Sequence, residues 1–176
     1  SNNVVLGTVT ISKGNPNTYL VPVANISVNT AADAFNVITK GVYLNATKPF
    51  FCTLRIAQGS HGEVVTSKGK AGLGREFYVA GTPYNSTSSS NNFTAGIMAT
   101  ENNTVVTTTW TGNTTFIGGS PTTSTNTVTL NKGESFIYAG NGSIGGNIDS
   151  FIGARIVSDK PITLTNGNMN GNFGDN

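Results

Sequence analysis

The chain has little charge, a single cysteine and a single histidine. Its 176 residues include 10 Lys and Arg and 8 Asp and Glu, and Cys52 is the one cysteine. A lone cysteine cannot form an internal disulfide. A chain of this length still buries roughly 70% of the surface that its unfolded form exposes, which is enough for a core without one. Asn, Thr, Ser and Gly take the place of charged residues, and this composition favours a secreted protein with an amide- and hydroxyl-rich surface.

Long apolar runs and clusters of cations are also missing. No apolar run approaches the roughly 18–20 residues of a membrane-spanning helix, and residues 1–3 show no signal-peptide pattern. The formal charge is +2 and the cations are scattered, whereas nucleic-acid binding needs a basic patch. We therefore expect no nucleic-acid partner and no membrane insertion. We interpret the chain as a processed piece of a longer soluble protein.

The residues that catalysis needs are few and dispersed. Any Ser-His-acid arrangement must use His61, which lies between Ser60 and Gly62 in a polar segment without a nucleophile elbow. The carboxylates show no spacing that predicts an acid/base pair. The sequence therefore predicts a protein that is not an enzyme, with no catalytic residue and no cofactor.

Four residues are candidates for binding. Asp149 ends the segment 145–149, whose glycine-aspartate pattern is similar to a calcium-binding turn. The pattern occurs once, so a plain loop is the favoured alternative. Trp110 follows three threonines at a strand end, where its ring is placed to stack on a sugar together with Tyr84 and Tyr138. The favoured alternative is that Trp110 fills the core.

Short β-type segments dominate the pattern. Helical periodicity is confined to residues 30–35, enough for one turn. Alternating or β-branched stretches separated by Gly, Asn and Pro predict antiparallel meanders in an all-β sandwich. We interpret residues 1–176 as a single β-sandwich-like region, with two packed subdomains that divide near 60–75 as the alternative. The predicted strands are 4–11, 19–23, 35–38, 41–44, 50–56, 63–66, 76–79, 96–99, 104–109, 125–130, 135–139, 151–157 and 162–165.

A ten-residue pattern occurs twice. Residues 41–50 and 153–162 both carry Gly, an aliphatic residue, Lys and Pro at the same offsets. Each copy predicts a Lys-Pro hairpin whose second strand begins at the proline, because Pro lacks a ladder donor and is tolerated at a strand's first position. Leu44 and Ile156 are expected to be buried on their strands.

Cys52 lies in the most apolar of the predicted strands. Its neighbours include Phe50, Phe51, Leu54 and Ile56. Such a setting is typical of a core position, whereas a reactive thiol needs a basic and exposed one. We therefore expect Cys52 to be buried and unmodified.

Four segments together carry a family resemblance. They are residues 62–77 (GEVVTSKGKAGLGREF), 98–106 (MATENNTVV), 130–136 (LNKGESF) and 152–168. In this order they resemble the N-terminal domain of IgG Fc-binding protein and a domain of large surface proteins of gliding, flavobacterial-type bacteria. The resemblance extends over about residues 36–173.

The resemblance implies an extracellular, non-enzymatic adhesion or binding module, exported by type IX secretion and held at the cell surface. Its implied partners are a surface glycan or an extracellular protein, and neighbouring domains of the same protein. A carbohydrate-binding module and an accessory domain of a secreted hydrolase are the alternatives. Within the first segment, the glycines and cations of residues 67–75 are interpreted as a structural turn, with an anion cradle as the alternative.

Overall fold

The protein is all-β, as the sequence predicts. The computed structural model describes residues 4–28, 30–59, 61–81 and 92–168. No helix among these residues has the length and apolarity that a membrane span needs. The elements are one α-helical turn, α1 (Thr30–Asp33), and the strands β1 (Val37–Ile38), β2 (Thr53–Gln58), β3 (His61–Thr66), β4 (Gly74–Tyr78), β5 (Phe93–Ala99), β6 (Thr104–Thr109), β7 (Thr125–Leu130), β8 (Ser135–Ala139) and β9 (Arg155–Asn168).

One bent antiparallel sheet contains seven of these strands. β4 pairs with β9 along one edge, since Tyr78 lies opposite Arg155 and Gly74 lies opposite Ile162. The other edge of β9 pairs first with β6 and then with β5, which lie end to end. β7 and β8 extend the sheet beyond β6 and β5, and β1 follows β8. The sheet therefore forms two layers, β4–β9–β6–β7 and β9–β5–β8–β1, that enclose the core in a sandwich-like arrangement.

An aromatic cluster fills the space between the layers. β5 buries the alternate side chains Phe93, Ala95, Ile97 and Ala99, as expected of a strand with one side towards the core. Neighbouring rings in the cluster have their centroids 5.0–6.2 Å apart, within the range in which aromatic pairs attract each other. The rings are those of Phe35, Phe93, Trp110, Phe116, Phe136, Tyr138 and Phe151.

The first 66 residues contribute little to this core. Among the buried hydrophobic residues of the described ranges, only Ala34 precedes Val79. The exposed large hydrophobic residues of those ranges lie before residue 67, with the exceptions of Tyr78, Val105 and Ile152. The core is therefore built mainly by β5 to β9 and the segments that connect them.

The prediction that Cys52 is buried is wrong. β2 and β3 form a separate two-stranded sheet. Cys52, which precedes β2, is half-buried, and Phe51 beside it is 78% exposed. Leu54 and Ile56 are exposed as well. The apolar pattern correctly indicated a strand, but burial also requires a second layer, and no described element covers this ribbon.

The prediction of two Lys-Pro hairpins is also wrong. Residues 41–50 form no strand, and Leu44 is 51% exposed. Ile156 is buried as expected, but β9 continues through Pro161 without a turn. At this point β9 changes its partner from β6 to β5, and no strand residue is paired with 159–161. Pro161 is tolerated there because its missing N–H removes no ladder bond.

Candidate binding face

The two candidate sugar-stacking rings within the described residues lie in the core. Trp110 is 5% exposed, and its ring centroid is 5.1 Å from that of Phe116 and 6.0 Å from that of Phe151. Tyr138 is fully buried, and its hydroxyl accepts a hydrogen bond from Asn126 Nδ2 at 2.9 Å. Burial raises the pKa of the Tyr138 phenol, and the bond from Asn126 opposes this rise. A ligand at the surface cannot reach either ring.

Asp149 is an exposed carboxylate beside a small crevice that Phe93 and Asn147 also line. The crevice holds about 10 Å³, room for a single water at most. Asn147 stabilises the loop that contains Asp149, because its side-chain amide donates to Thr115 O at 2.8 Å and to Asn141 O at 2.9 Å. Within the described ranges, no three His, Cys, Asp or Glu side chains are grouped as metal ligands. Asp149 is therefore a single carboxylate in an internally bonded loop.

Two side chains of the sequence predictions, those of Tyr84 and His61, lie outside the described part of the structure. The backbone of His61 is described and lies in β3 opposite Gln58. The expectation that His61 is not a catalytic residue stays a prediction.

The polar residues of the family-like segments hold the bend of the sheet. We call this bend the corner; it is made of residues 100–103, 131–134 and 159–161. Asp159 Oδ1 accepts a hydrogen bond from Val105 N at 2.8 Å. Lys160 Nζ donates to Asn102 O at 2.5 Å and to Asn103 O at 3.1 Å. These side chains join β9 to the turn between β5 and β6, so their role is structural.

A second set of bonds joins the two turns of the corner. Asn103 N donates to Asn131 Oδ1 at 3.2 Å, and Lys132 N donates to Asn102 Oδ1 at 3.1 Å. Asn131 N in turn donates to Glu134 Oε2 at 2.7 Å. Asn103 has a φ of 53°, which asparagine tolerates better than most residues. The segments 98–106 and 130–136 therefore carry a bend that requires these amides.

The glycine- and lysine-rich segment 67–75 contains a turn. Gly69–Gly72 forms a short 3-10 helix, and Gly69 has a φ of 56°, which favours glycine. The Gly69 N–H, a donor that a bound anion would need, is bonded to Ser67 Oγ at 3.0 Å. This bond supports the turn interpretation over the anion cradle.

The outward side of the β4–β9–β6–β7 layer is a regular polar surface. Residues directly opposite each other on antiparallel strands point to the same side of a sheet. Phe77, Ile156 and Thr108 lie between the outward rows, on the side that faces the core. We call the outward surface the threonine face; its rows are Tyr78, Arg155, Thr109 and Thr125, then Glu76, Val157, Thr107 and Thr127, then Val105 and Thr129.

A hydrogen-bonded triad lies at the β4 edge of the threonine face. Arg155 Nε donates to Glu76 Oε1 at 2.8 Å, and the Tyr78 hydroxyl donates to the same oxygen at 3.0 Å. The hydrogen bond from Arg155 lowers the pKa of Glu76, and the same bond raises the pKa of Arg155. Both groups are therefore charged at neutral pH. The Tyr78 side of the triad remains open to solvent, because this residue is 60% exposed.

Five threonines provide most of the other side chains of the face, and the remaining two are Val105 and Val157. Thr107 and Thr127 share a hydrogen bond of 3.0 Å between their Oγ1 atoms. Neighbouring strands lie about 4.8 Å apart, and residues on one side of a strand repeat about every 7 Å, so four strands and three rows span roughly 14 Å in each direction. An open surface of this size suits an extended partner, since small molecules are held in concave pockets.

Sequence reasoning did not single out Tyr78, Glu76 or Arg155. The alternation of outward and inward residues along 104–109 and 125–130 is visible in the sequence. Arg155 and Glu76, however, are 79 residues apart, and a single sequence does not show the register in which such distant strands pair. The register of β4 and β9 would have been needed to predict that Arg155 lies beside Glu76 and Tyr78.

A family model described as IgGFc binding protein matches residues 62–176, more than half of the chain. The matched range contains β4 to β9, all of β3 except its first residue, the corner and the threonine face. The family is one of extracellular binding domains rather than of enzymes. No curated protein and no solved structure matches the chain.

Proposed function

The chain belongs to the IgGFc binding protein family, and we propose that it is a non-enzymatic extracellular binding module that contacts its partner through the threonine face. One observation carries the choice of this face. The exposed ring of Tyr78 lies beside the bonded pair of Arg155 and Glu76 on a regular sheet surface, whereas Trp110 and Tyr138 are enclosed in the core.

The composition of the face supports a binding role. Tyrosine and arginine, together with tryptophan, are enriched among the residues that contribute most to binding, because each combines a large contact area with hydrogen-bonding groups. Tyr78 and Arg155 occupy adjacent strands in one row of the face. Both are on strands, so they are held in position before a partner arrives, which reduces the entropy lost on binding.

The module acts in cell adhesion, as part of a large secreted surface protein. In this proposal its partner is a surface glycan or an extracellular protein, and further domains of the same protein present the face to the outside. Export by type IX secretion from a gliding bacterium is the most specific form of the proposal. It rests on the segments 62–77, 98–106, 130–136 and 152–168 that carry the resemblance.

Binding of purified protein to immobilised probes tests this function. The probes are immunoglobulin Fc, a mucin-type glycoprotein and a panel of extracellular polysaccharides, measured by biolayer interferometry. We expect at least one probe to bind, and Tyr78→Ala to weaken that binding about tenfold or more, equivalent to 1.4 kcal/mol or more. Tyr43→Ala is the matched control, since Tyr43 is a 70% exposed tyrosine outside the face.

Two results would count against the proposal. If the wild-type protein binds none of the probes, the chain is not the binding module described here. If a probe binds and Tyr78→Ala and Arg155→Ala leave its affinity unchanged, the partner contacts a surface other than the threonine face.

A further inference from the structure

We infer that the threonine face recognises a neutral oligosaccharide, with a sugar ring stacked on Tyr78 and its hydroxyls bonded to Arg155, Glu76 and the threonines. This inference rests on the proposed function and names the class of partner for the same face. It follows from three properties of the face: the paired charges beside Tyr78, its one exposed ring and its hydroxyl content.

The charges beside Tyr78 are internally balanced. In the two rows nearest to Tyr78 the charged side chains are one cation, Arg155, and one anion, Glu76, and these are bonded to each other at 2.8 Å. The next exposed residue on this side of β9, Asp159, accepts the backbone N–H of Val105 in the third row. An anionic partner would be attracted by Arg155 but repelled by Glu76 at nearly the same position, and a cationic partner would meet the reverse. A neutral partner that offers hydroxyls is the chemical class that complements this pair without separating it.

The ring of Tyr78 provides an apolar contact of the size of a sugar ring. Its hydroxyl is fixed by Glu76 Oε1 at 3.0 Å, while the residue is 60% exposed. An aromatic side chain with one polar end held in this way presents its apolar body as a rigid platform. The C–H groups on one side of a pyranose ring can pack on such a platform, and its hydroxyls remain free to bond to groups around it.

Hydroxyl and guanidinium groups surround the platform. Thr109 and Thr125 continue the row of Tyr78, and Thr107 and Thr127 continue the next row. Each threonine hydroxyl is both a donor and an acceptor, as each sugar hydroxyl is, so the two sets are complementary. The guanidinium of Arg155 has five N–H donors, more than one carboxylate oxygen uses. Several sugar residues along the row can therefore be bonded at once.

A polypeptide partner fits this surface less well. Stable protein interfaces have an apolar centre that is depleted of charge and surrounded by a polar rim. Apart from Tyr78, the apolar side chains of the face are Val105 and Val157, and both lie in rows other than that of Tyr78. The face therefore lacks the apolar centre that is typical of stable protein interfaces.

A glycan array tests the inference with defined oligosaccharides that are neutral, sialylated or sulfated. We expect neutral oligosaccharides to bind. Their affinity should change less than about twofold between roughly 50 and 500 mM NaCl, because screening acts on charged partners only. Tyr78→Ala should weaken binding about tenfold or more and Tyr78→Phe less than about threefold, because the second variant keeps the ring. Tyr43→Ala is the control, and a thermal melt of each variant confirms folding.

The alternative outcomes separate this inference from the proposed function. Binding to sulfated or sialylated sugars with strong salt dependence, or to a glycoprotein that is bound equally well after enzymatic deglycosylation, overturns the glycan inference but leaves a binding module. Neutral-glycan binding that Tyr78→Ala does not weaken overturns the placement on the threonine face. A wild-type protein that binds none of the glycans overturns the inference. Binding to immunoglobulin Fc or to the mucin-type glycoprotein would then still support the proposed binding function, and binding to none of these probes would overturn that function as well.

Discussion

Lys160 Nζ lies 2.5 Å from the backbone oxygen of Asn102, and this bond ties the point where β9 changes partner to the turn between β5 and β6. The same ammonium group also donates to Asn103 O at 3.1 Å. Carbonyls in such a turn have no strand partner, so a side-chain donor satisfies them. Lys160, which belongs to the family-like segment 152–168, therefore stabilises the corner.

Replacing Lys160 with Met keeps the aliphatic part of the side chain and removes both bonds. We expect Lys160→Met to lower the free energy of unfolding by about 1.5 kcal/mol, the low end of the contribution of hydrogen bonds from a charged group, because Lys160 is only half-buried. Urea unfolding followed by circular dichroism measures the change. Lys13→Met, in an exposed turn, is the control and should stay within about 0.5 kcal/mol of the wild type. Equal stabilities of the two variants would show that the corner does not depend on Lys160.

Gly140 is packed against the ring of Phe93, and a methyl group at Gly140 would overlap that ring. Gly140→Ala should therefore destabilise the protein by about 2 kcal/mol or more, because the core must shift to admit the extra carbon. Gly167→Ala is the matched control, since no atom of the described residues lies within 4 Å of the position that its methyl group would take. Thermal melts of both variants check this prediction, and a Gly140→Ala melt at the wild-type temperature would contradict the packing described for the core.

Tyr138 makes stability depend on pH in the alkaline range. Its pKa is raised by burial above the ordinary value of 10.0, so the unfolded chain loses the phenolic proton before the folded protein does. The stabilising contribution is complete below pH 10 and is lost as the pH rises through the pKa of the folded state. We expect the free energy of unfolding of the wild type to fall more steeply above pH 10 than that of Tyr138→Phe, which cannot titrate there. Parallel pH profiles of the two proteins would mean that the phenol is not buried in solution.

Among the described residues before residue 67, Ala34 is buried in the core and Phe35 packs against it. Phe35 N donates to Ile137 O at 2.8 Å, and the Phe35 ring lies 5.3 Å from that of Phe136. Deleting residues 1–28 should leave the unfolding transition cooperative, with its midpoint little changed. Deleting residues 1–38 also removes the buried Ala34, the half-buried ring of Phe35 and the pairing of β1 with β8, and together these losses should cost about 3 kcal/mol or more. Urea unfolding of the two truncated chains should separate them clearly; equal stability would contradict the role given to Phe35.

Local pattern predicted part of this fold well. The bounds 104–109, 125–130 and 135–139 agree with β6, β7 and β8. β6 and β7 alternate between more and less exposed positions, and β8 is a short apolar run that is buried along most of its length. Residues 4–11 and 19–23 have a similar pattern but form no strand. A strand is stable only beside a partner and against a core, and neither condition can be read from the segment itself.

Long-range pairing explains most of what the sequence could not predict. Residues 151–157 and 162–165 were predicted as two strands around a proline turn, whereas β9 is continuous because β5 and β6 lie end to end beside it. The same pairing places Arg155 next to Glu76 and Tyr78 and so creates the candidate face. Trp110 and Tyr138 were candidates for binding because they are aromatic. Their burial depends on how the two layers of the sheet pack over them, which the sequence does not show.

The most direct test of the central claim is an NMR titration of the isotopically labelled protein with the partner that the binding assays identify. If the threonine face binds that partner, amide shifts will concentrate in residues 76–78, 105–109, 125–129 and 155–157 and will disappear in Tyr78→Ala. Shifts confined instead to the exposed β2–β3 ribbon, or to the loop around Asp149, would contradict the account and move the binding surface elsewhere on the molecule.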